Sequence, residues 1–343
     1  MCIRDRYDSV RGVGPAKNLV TNTTYAQTAN DDTQYGYTSS FNRDGYTVTD
    51  GTGGGNANIY TNKNEQTYVS YCWKAGGNKN TFNVDDVGYS SAAAAGLNGG
   101  TITPTGASVG TKQGFSIIEY AGNSTADATL SHGLGKTPAF VVVKNLSAAT
   151  NWNIKTSSNS SGKILFFTND AETTTSAGHI KDLSGVDNIS FATSSSWENV
   201  NNSGSNYIAY IWANITGVQK FGTYASNNNV DGPYVDLGFE PGLVVIKSMT
   251  GSGTARNWAL VDSTRSYANI ANHTLAFNLD AAESAYGGGE SVFGASNKID
   301  LLSNGFKIKD TGNWCNEAGK TYIYLAWAKT PYHNLYGAQS TSR

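Results

Sequence analysis

Thr67-Tyr-Val-Ser-Tyr-Cys-Trp-Lys-Ala75, Asn206-Tyr-Ile-Ala-Tyr-Ile-Trp-Ala-Asn214 and Thr321-Tyr-Ile-Tyr-Leu-Ala-Trp-Ala-Lys329 are three copies of one pattern. Each has a Tyr in second place and a Trp five residues after it. Side chains along a strand alternate with a period of two. Val69, Tyr71 and Trp73 therefore share a face, as do Ile208, Tyr210 and Trp212, and Ile323, Leu325 and Trp327. The opposite face carries Tyr207, Ala209 and Ile211, or Tyr322, Tyr324 and Ala326, and is also apolar. A strand apolar on both faces belongs inside a sandwich rather than on an open sheet. The expected fold is all-β, built from tandem β-sandwich (jelly-roll-like) domains of about 100 residues each, the first of them truncated.

Working outward, the last copy is the clearest. Phe221-Gly-Thr-Tyr224, the strand Leu243-Val-Val-Ile-Lys247, Asn257-Trp258, Asp262-Ser-Thr-Arg265, Leu275-Ala-Phe-Asn278 and Leu302-Ser-Asn-Gly-Phe306 precede its aromatic strand. The middle copy repeats this order with Phe115 to Tyr120, Phe140-Val-Val-Val-Lys144, Asn151-Trp152 and Ile189-Ser-Phe191. The first copy keeps only Asp8-Ser-Val-Arg11, Phe41-Asn-Arg-Asp-Gly-Tyr46 and Tyr68 onward. Pro138 to Pro241 spans 103 residues and Trp212 to Trp327 spans 115. Those periods exceed the roughly 20–45 residues of solenoid repeats and suit independent sandwiches.

The resulting map has five parts. Residues 1–6, Met-Cys-Ile-Arg-Asp-Arg, resemble the translation of a sequencing adapter and are read as foreign, so that Met1 is not a true start. Residues 7–75 form the truncated repeat. Residues 76–113, rich in Gly, Ser, Thr and Asn, read as a connector. Residues 114–218 and 219–343 form the second and third repeats.

Charged residues make up 15% of the chain and the formal net charge is -2. With no basic cluster, nucleic acid is not an expected partner. No apolar run reaches the roughly 18 residues of a membrane span. Three Cys, one of them in the foreign hexapeptide, are too few for a disulfide framework. Cys72 is expected inside its strand as a small hydrophobe.

Catalytic, cofactor and metal residues are all expected to be none. Gly135-Lys136-Thr137 and Gly319-Lys320-Thr321 imitate a phosphate loop, but Leu130 and Trp314 occupy the required earlier glycine. Both read as turns into strands. The four histidines fall at unrelated positions, whereas a metal site or a general base needs them grouped with Cys, Asp or Glu. Asp8…Arg11 and Asp262…Arg265 read as structural pairs, the Asp capping a turn and the Arg bridging to it.

The series Asp8-Ser-Val-Arg-Gly12, Phe41…Asp44-Gly45, Tyr68-Val69…Trp73-Lys-Ala-Gly-Gly77, Gly114-Phe-Ser-Ile-Ile118 and His132-Gly-Leu-Gly-Lys-Thr-Pro138 resembles tail-fibre-like structural proteins of marine bacteriophages. Those proteins carry a repeated C-terminal domain of unknown function, and the likeness covers nearly all of residues 7–343. It implies a non-enzymatic virion component, located in the tail, that contributes to host attachment. Its implied partners are other tail proteins and a host surface glycan, and its implied assembly is a homotrimer. The alternative is an extracellular carbohydrate-binding, carbohydrate-degrading or adhesin module. A glycosidase needs two carboxyls about 5–9.5 Å apart. Asp170/Glu172 and Asp280/Glu283 recur in two units, but Asn22 and Gln27 stand in the corresponding stretch of the first. Aromatic rings outside the repeated strand are free to stack on sugars, which makes Trp197 and Trp314 the expected glycan or host contacts.

Overall fold

The computed structural model describes residues 5–27, 32–42, 45–174, 178–192, 199–251, 256–266, 268–281, 283 and 298–330. The fold is all-β, with several sheets and, among the described residues, only single turns of helix at Asp32–Tyr35 and Gly54–Asn56. The chain divides into two compact units, one of residues 1–155 and 175–212, the other of residues 156–174 and 213–343.

In the first unit, Asp5–Arg6 (β1) pairs with Leu19–Val20 (β2), and Tyr37–Asn42 (β3) with Gly45–Thr49 (β4). Phe82–Val84 (β5), Val87–Tyr89 (β6), Pro104–Gly110 (β7) and Phe115–Ala121 (β8) follow. Thr129–Ser131 (β9), Pro138–Asn145 (β10), Asn153–Thr156 (β11), Asn188–Ser190 (β12) and Asn206–Ala213 (β13) complete the set. A seven-stranded sheet runs β11-β10-β13-β8-β7-β5-β6, and β9 pairs with β12. The apolar-on-both-faces strands β10 and β13 lie inside the sheet, each with a neighbour on both edges, and every residue of β10 is buried. On one face Tyr120 stacks between Tyr207 (5.2 Å) and Phe191 (5.6 Å). On the other, Trp212 stacks on Phe115 (4.5 Å) and Phe140 (5.1 Å).

The second unit contains Gln219–Ala225 (β14), Tyr234–Asp236 (β15), Pro241–Ser248 (β16), Ala259–Asp262 (β17), Thr274–Ala276 (β18), Ile299–Leu302 (β19), Gly305–Ile308 (β20) and Thr321–Ala328 (β21). Its large sheet runs β14-β21-β16-β17-β18, and β15-β20-β19 forms the small one. The order β14-β21-β16-β17 reproduces β8-β13-β10-β11 of the first unit. Between the two sheets lies a core of Tyr224, Val244, Ile246, Phe306, Trp314, Tyr322 and Tyr324.

Three sequence expectations are corrected. Residues 76–113 are not a connector: they supply β5, β6 and β7, and β5 runs parallel to β7. Their polar composition hides this, because polar groups tie distant parts of the segment together, as Ser108 Oγ does by donating to Gly77 O (2.7 Å) and the Asp85 carboxylate by accepting Thr111 N (2.8 Å). The first aromatic copy, 67–75, forms no strand. An internal strand has a neighbour on each edge, as β13 has β10 and β8, whereas among the described residues 67–75 is in no sheet and meets the first unit through the Trp73–Trp212 ring contact (6.4 Å). Cys72 is therefore exposed rather than in a core. Of residues 1–6, the described Asp5 and Arg6 pair with Val20 and Leu19.

Candidate functional site

The polar residues that recur three times in the chain form one structure, a hairpin whose turn is clamped from inside. In the first hairpin the Asp8 carboxylate accepts the backbone N–H groups of Val10 (3.0 Å) and Arg11 (2.9 Å). Its other oxygen accepts Arg11 Nε (2.6 Å), and Arg11 Nη1 reaches Gln27 Oε1 (3.0 Å). In the third hairpin Asp262 accepts Thr264 N (2.9 Å), Arg265 N (2.8 Å) and Arg265 Nε (2.6 Å), while Arg265 Nη1 reaches Glu283 (2.7 Å). In the second hairpin a neutral Thr–Asn pair stands in for the Asp–Arg pair: Thr156 N donates to Asn159 Oδ1 (2.7 Å), and Asn159 Nδ2 donates to the Glu172 carboxylate (3.1 Å). A carboxylate that accepts two backbone N–H groups and a guanidinium is a turn cap, and an amide–hydroxyl pair replaces it at lower cost in desolvation.

The first clamp is sealed. Tyr210 OH donates to Asp8 Oδ2 (2.8 Å), and Arg11 Nη2 donates to the same hydroxyl (3.3 Å). Asp8 and Arg11 are buried. Burial alone would lower the Arg11 pKa, but the Asp8 charge outweighs it and holds the guanidinium above its ordinary value. Burial likewise pushes the Tyr210 hydroxyl up. Neither group is poised to exchange a proton near neutral pH.

Each of the first two hairpins docks on a large sheet through matching contacts. Trp152 Nε1 donates to Val20 O (3.1 Å), and Trp258 Nε1 donates to Phe166 O (3.0 Å). Gln27 N donates to Leu146 O (3.1 Å), and Glu172 N donates to Met249 O (3.1 Å). Phe167 adds an edge contact to Trp258 (5.3 Å) and packs on Phe277 (4.9 Å). Residues 156–174 thus belong to the second unit, although the chain reaches them directly from β11 of the first sheet.

Beside these docking points lie two buried lysines at equivalent places, Lys144 on β10 and Lys247 on β16. Lys144 Nζ donates to the carbonyls of Asn145 (2.9 Å), Thr150 (3.1 Å) and Thr24 (3.3 Å), and Lys247 Nζ to that of Arg256 (2.9 Å). Burial lowers Lys144 to about 8 and Lys247 to about 7. An unfolded lysine titrates at about 10.4. Between the folded and unfolded values the unfolded chain holds the extra protons, so stability rises with pH across that window. Well below pH 7 these lysines are protonated in both states and contribute no further slope. The urea midpoint is therefore expected to increase from pH 7 to pH 9.5, and Lys247→Met to flatten that increase.

Two of the carboxylates considered for catalysis, Glu172 and Glu283, are engaged in the hairpins. Glu172 accepts Ser160 N (3.0 Å) and Asn159; burial raises its pKa, but these hydrogen bonds outweigh it and hold the carboxyl below its ordinary value. Glu283 is bound by Arg265 and lies 3.1 Å from His273. Among the described residues, no group of three or more His, Cys, Asp and Glu side chains is placed to hold a metal ion. No described helix is long and apolar enough to cross a membrane.

Of the two expected contact residues, Trp197 lies outside the described residues. Trp314 is fully buried in the second unit's core, and its Nε1 donates to Asp310 (3.0 Å). Both ring faces are covered by the core, so Trp314 is withdrawn as a glycan contact. The docking contacts were missed in the sequence, yet Asn-Trp before β11 and before β17 was a visible signal for them.

Comparison with curated proteins and with solved structures gave no match. A family model described as a domain of unknown function, DUF7483, matches residues 4–331. The match spans both compact units and all three clamped hairpins, and the chain accordingly belongs to the DUF7483 family.

Proposed function

We propose that this chain is a non-catalytic structural protein of the tail-fibre kind that contributes to virion attachment at a host surface. The observation that carries this reading is the threefold clamp. In every copy the residues best suited to chemistry (Asp8/Arg11/Gln27, Thr156/Asn159/Glu172 and Asp262/Arg265/Glu283) are spent on closing a hairpin. The first two hairpins are also docked on a sheet. Serial units held this way offer repeated weak contacts to a surface, and repetition multiplies their avidity. The resemblance noted in the sequence supports a place in the virion tail, beside other tail proteins and as a homotrimer. A host glycan is the proposed ligand, with Trp197 as its stacking contact.

The test is binding of the full chain, displayed on beads, to host cells and to a glycan array. Saturable binding is expected, and Trp197→Ala should weaken it roughly two- to tenfold, the worth of one aromatic stack. Absence of binding under multivalent display would overturn the attachment role. Release of reducing ends from a bound polysaccharide would overturn the non-catalytic one.

A further inference from the structure

The turn from β9 into β10 and the turn from β15 into β16 are built on the same backbone bonds. His132 N donates to Asp187 O (3.0 Å) in the first unit, and Leu237 N donates to Asn304 O (2.8 Å) in the second. A glycine of left-handed φ follows in each, Gly133 at +70° and Gly238 at +80°. His132 therefore stands where Leu237 stands, and Asp187 where Asn304 stands. Both His132 and Leu237 are buried. A titratable ring thus occupies a leucine's place in one unit alone.

His132 Nδ1 accepts the Leu134 N–H (3.2 Å), which leaves the neutral ring's own proton on Nε2. Nε2 is enclosed beside the backbone of Gly185, without a well-formed hydrogen bond. A second proton enters only at Nδ1, where it would set two donors against each other. Burial lowers the pKa of the ring to about 4, against smaller opposing effects of the Gly185 backbone and the Asp187 charge. Asp187 is the charged group of the loop 183–187, and Lys136 of the ring's own turn is exposed. Residues 88–111, which supply the other neighbours of this turn, hold no Asp, Glu, Lys, Arg or His.

The turn also holds part of the first unit in place. A Cβ placed on Gly133 would lie 2.7 Å from Leu97 Cδ2 and 3.2 Å from both Val109 methyls. Nothing lies within 4 Å of one placed on Gly238. Leu97 and Val109 are 1% and 0% exposed. The His132 turn is therefore a wall against which the stretch 91–100 packs, and among the described residues the Gly238 turn has no such load.

We infer that His132 is an acid-operated latch: protonation takes the acceptor away from the Leu134 N–H, opens the 132–137 turn and frees the stretch 91–100. The second unit, with Leu237 in the same place, stays closed. Opening uncovers Leu97 and Val109, an apolar surface hidden at neutral pH. An exposed histidine titrates at about 6.5, so the open form binds the extra proton. Opening therefore grows as the pH falls from about 6.5 towards 4 and levels off below that. Between pH 7.5 and pH 5 this linkage raises the open fraction roughly thirtyfold.

Hydrogen exchange of the full chain at pH 7.5 and pH 5, expressed as protection factors, tests the latch. Peptides covering Leu134 and residues 91–100 are expected to lose at least about tenfold of their protection at pH 5. Those covering Leu237 and β16 are expected to change less than about twofold, since no histidine is placed there. Two variants separate the latch from general acid loosening. His132→Leu installs the second unit's residue, and His132→Asn keeps an oxygen acceptor near the Nδ1 position without a group that titrates. Each should hold the first unit's protection level between the two pH values. Three results would overturn the inference. They are unchanged protection of the unmodified chain at pH 5, a loss shared equally by both units, and a loss that persists in both variants.

Discussion

Trp258→Ala is expected to destabilise the second unit by roughly 3–5 kcal/mol, the usual cost of truncating a buried Trp. The side chain is fully buried, and it makes the hydrogen bond to Phe166 O and the ring contact to Phe167 that fasten residues 156–174. Removing it leaves a cavity and an unpaired buried carbonyl together. Chemical denaturation followed by limited proteolysis checks this. Residues 156–174 should become the first site of cleavage, while fragments holding β8, β10 and β13 persist. A variant of unchanged stability would show that the hairpin is held by something other than its docking tryptophan.

Arg11→Ala is expected to cost about 3–5 kcal/mol, because it breaks a buried pair and strands the Asp8 carboxylate. Its guanidinium also serves the carbonyls of Lys17 and Arg6 and the side chain of Gln27, and these acceptors lose their donor in the variant. Arg265→Ala removes the same residue from the same motif in a wetter setting, where Arg265 and Glu283 keep 14% and 34% of their side-chain surface. Water at Arg265 makes the expected loss smaller than that of Arg11→Ala, while the Asp262 carboxylate, as buried as Asp8, keeps it above the ~1 kcal/mol of an exposed pair. Denaturant midpoints of the two variants, compared under one buffer, give the contrast. Equal losses would mean that burial and Tyr210 add nothing to the clamp.

The all-β class, the central place of 206–213 and 321–328, and the Asp–Arg turn caps were legible in the sequence. Period-two apolar runs and a short Asp-to-Arg spacing are local signals that survive folding. Strands β5 to β7 were not, because short strands of Gly, Ser, Asn and Thr resemble linker in composition. The fate of 67–75 was not legible either: its pattern matches β13 and β21, yet among the described residues only those two are built into a sheet. Trp314 misled for a related reason. A polar flanking loop, Asp310 to Asn316, is what a surface aromatic would have, yet here it folds over the ring and Asp310 accepts the indole N–H. The membership of residues 156–174 lay furthest from view, since it depends on a carbonyl, Phe166 O, that no side-chain pattern reports.

The central claim is that a hairpin leaving one sheet is part of the unit built by the following residues. Native-state hydrogen exchange on the unmodified chain tests it most directly. The amides of Ile164 and Thr173, bonded to each other's carbonyls, and of Glu172, bonded to Met249, are the reporters. The account predicts that they open with the free energy and denaturant dependence of β16 and β21. Exchange that instead follows β10 and β13 would contradict it.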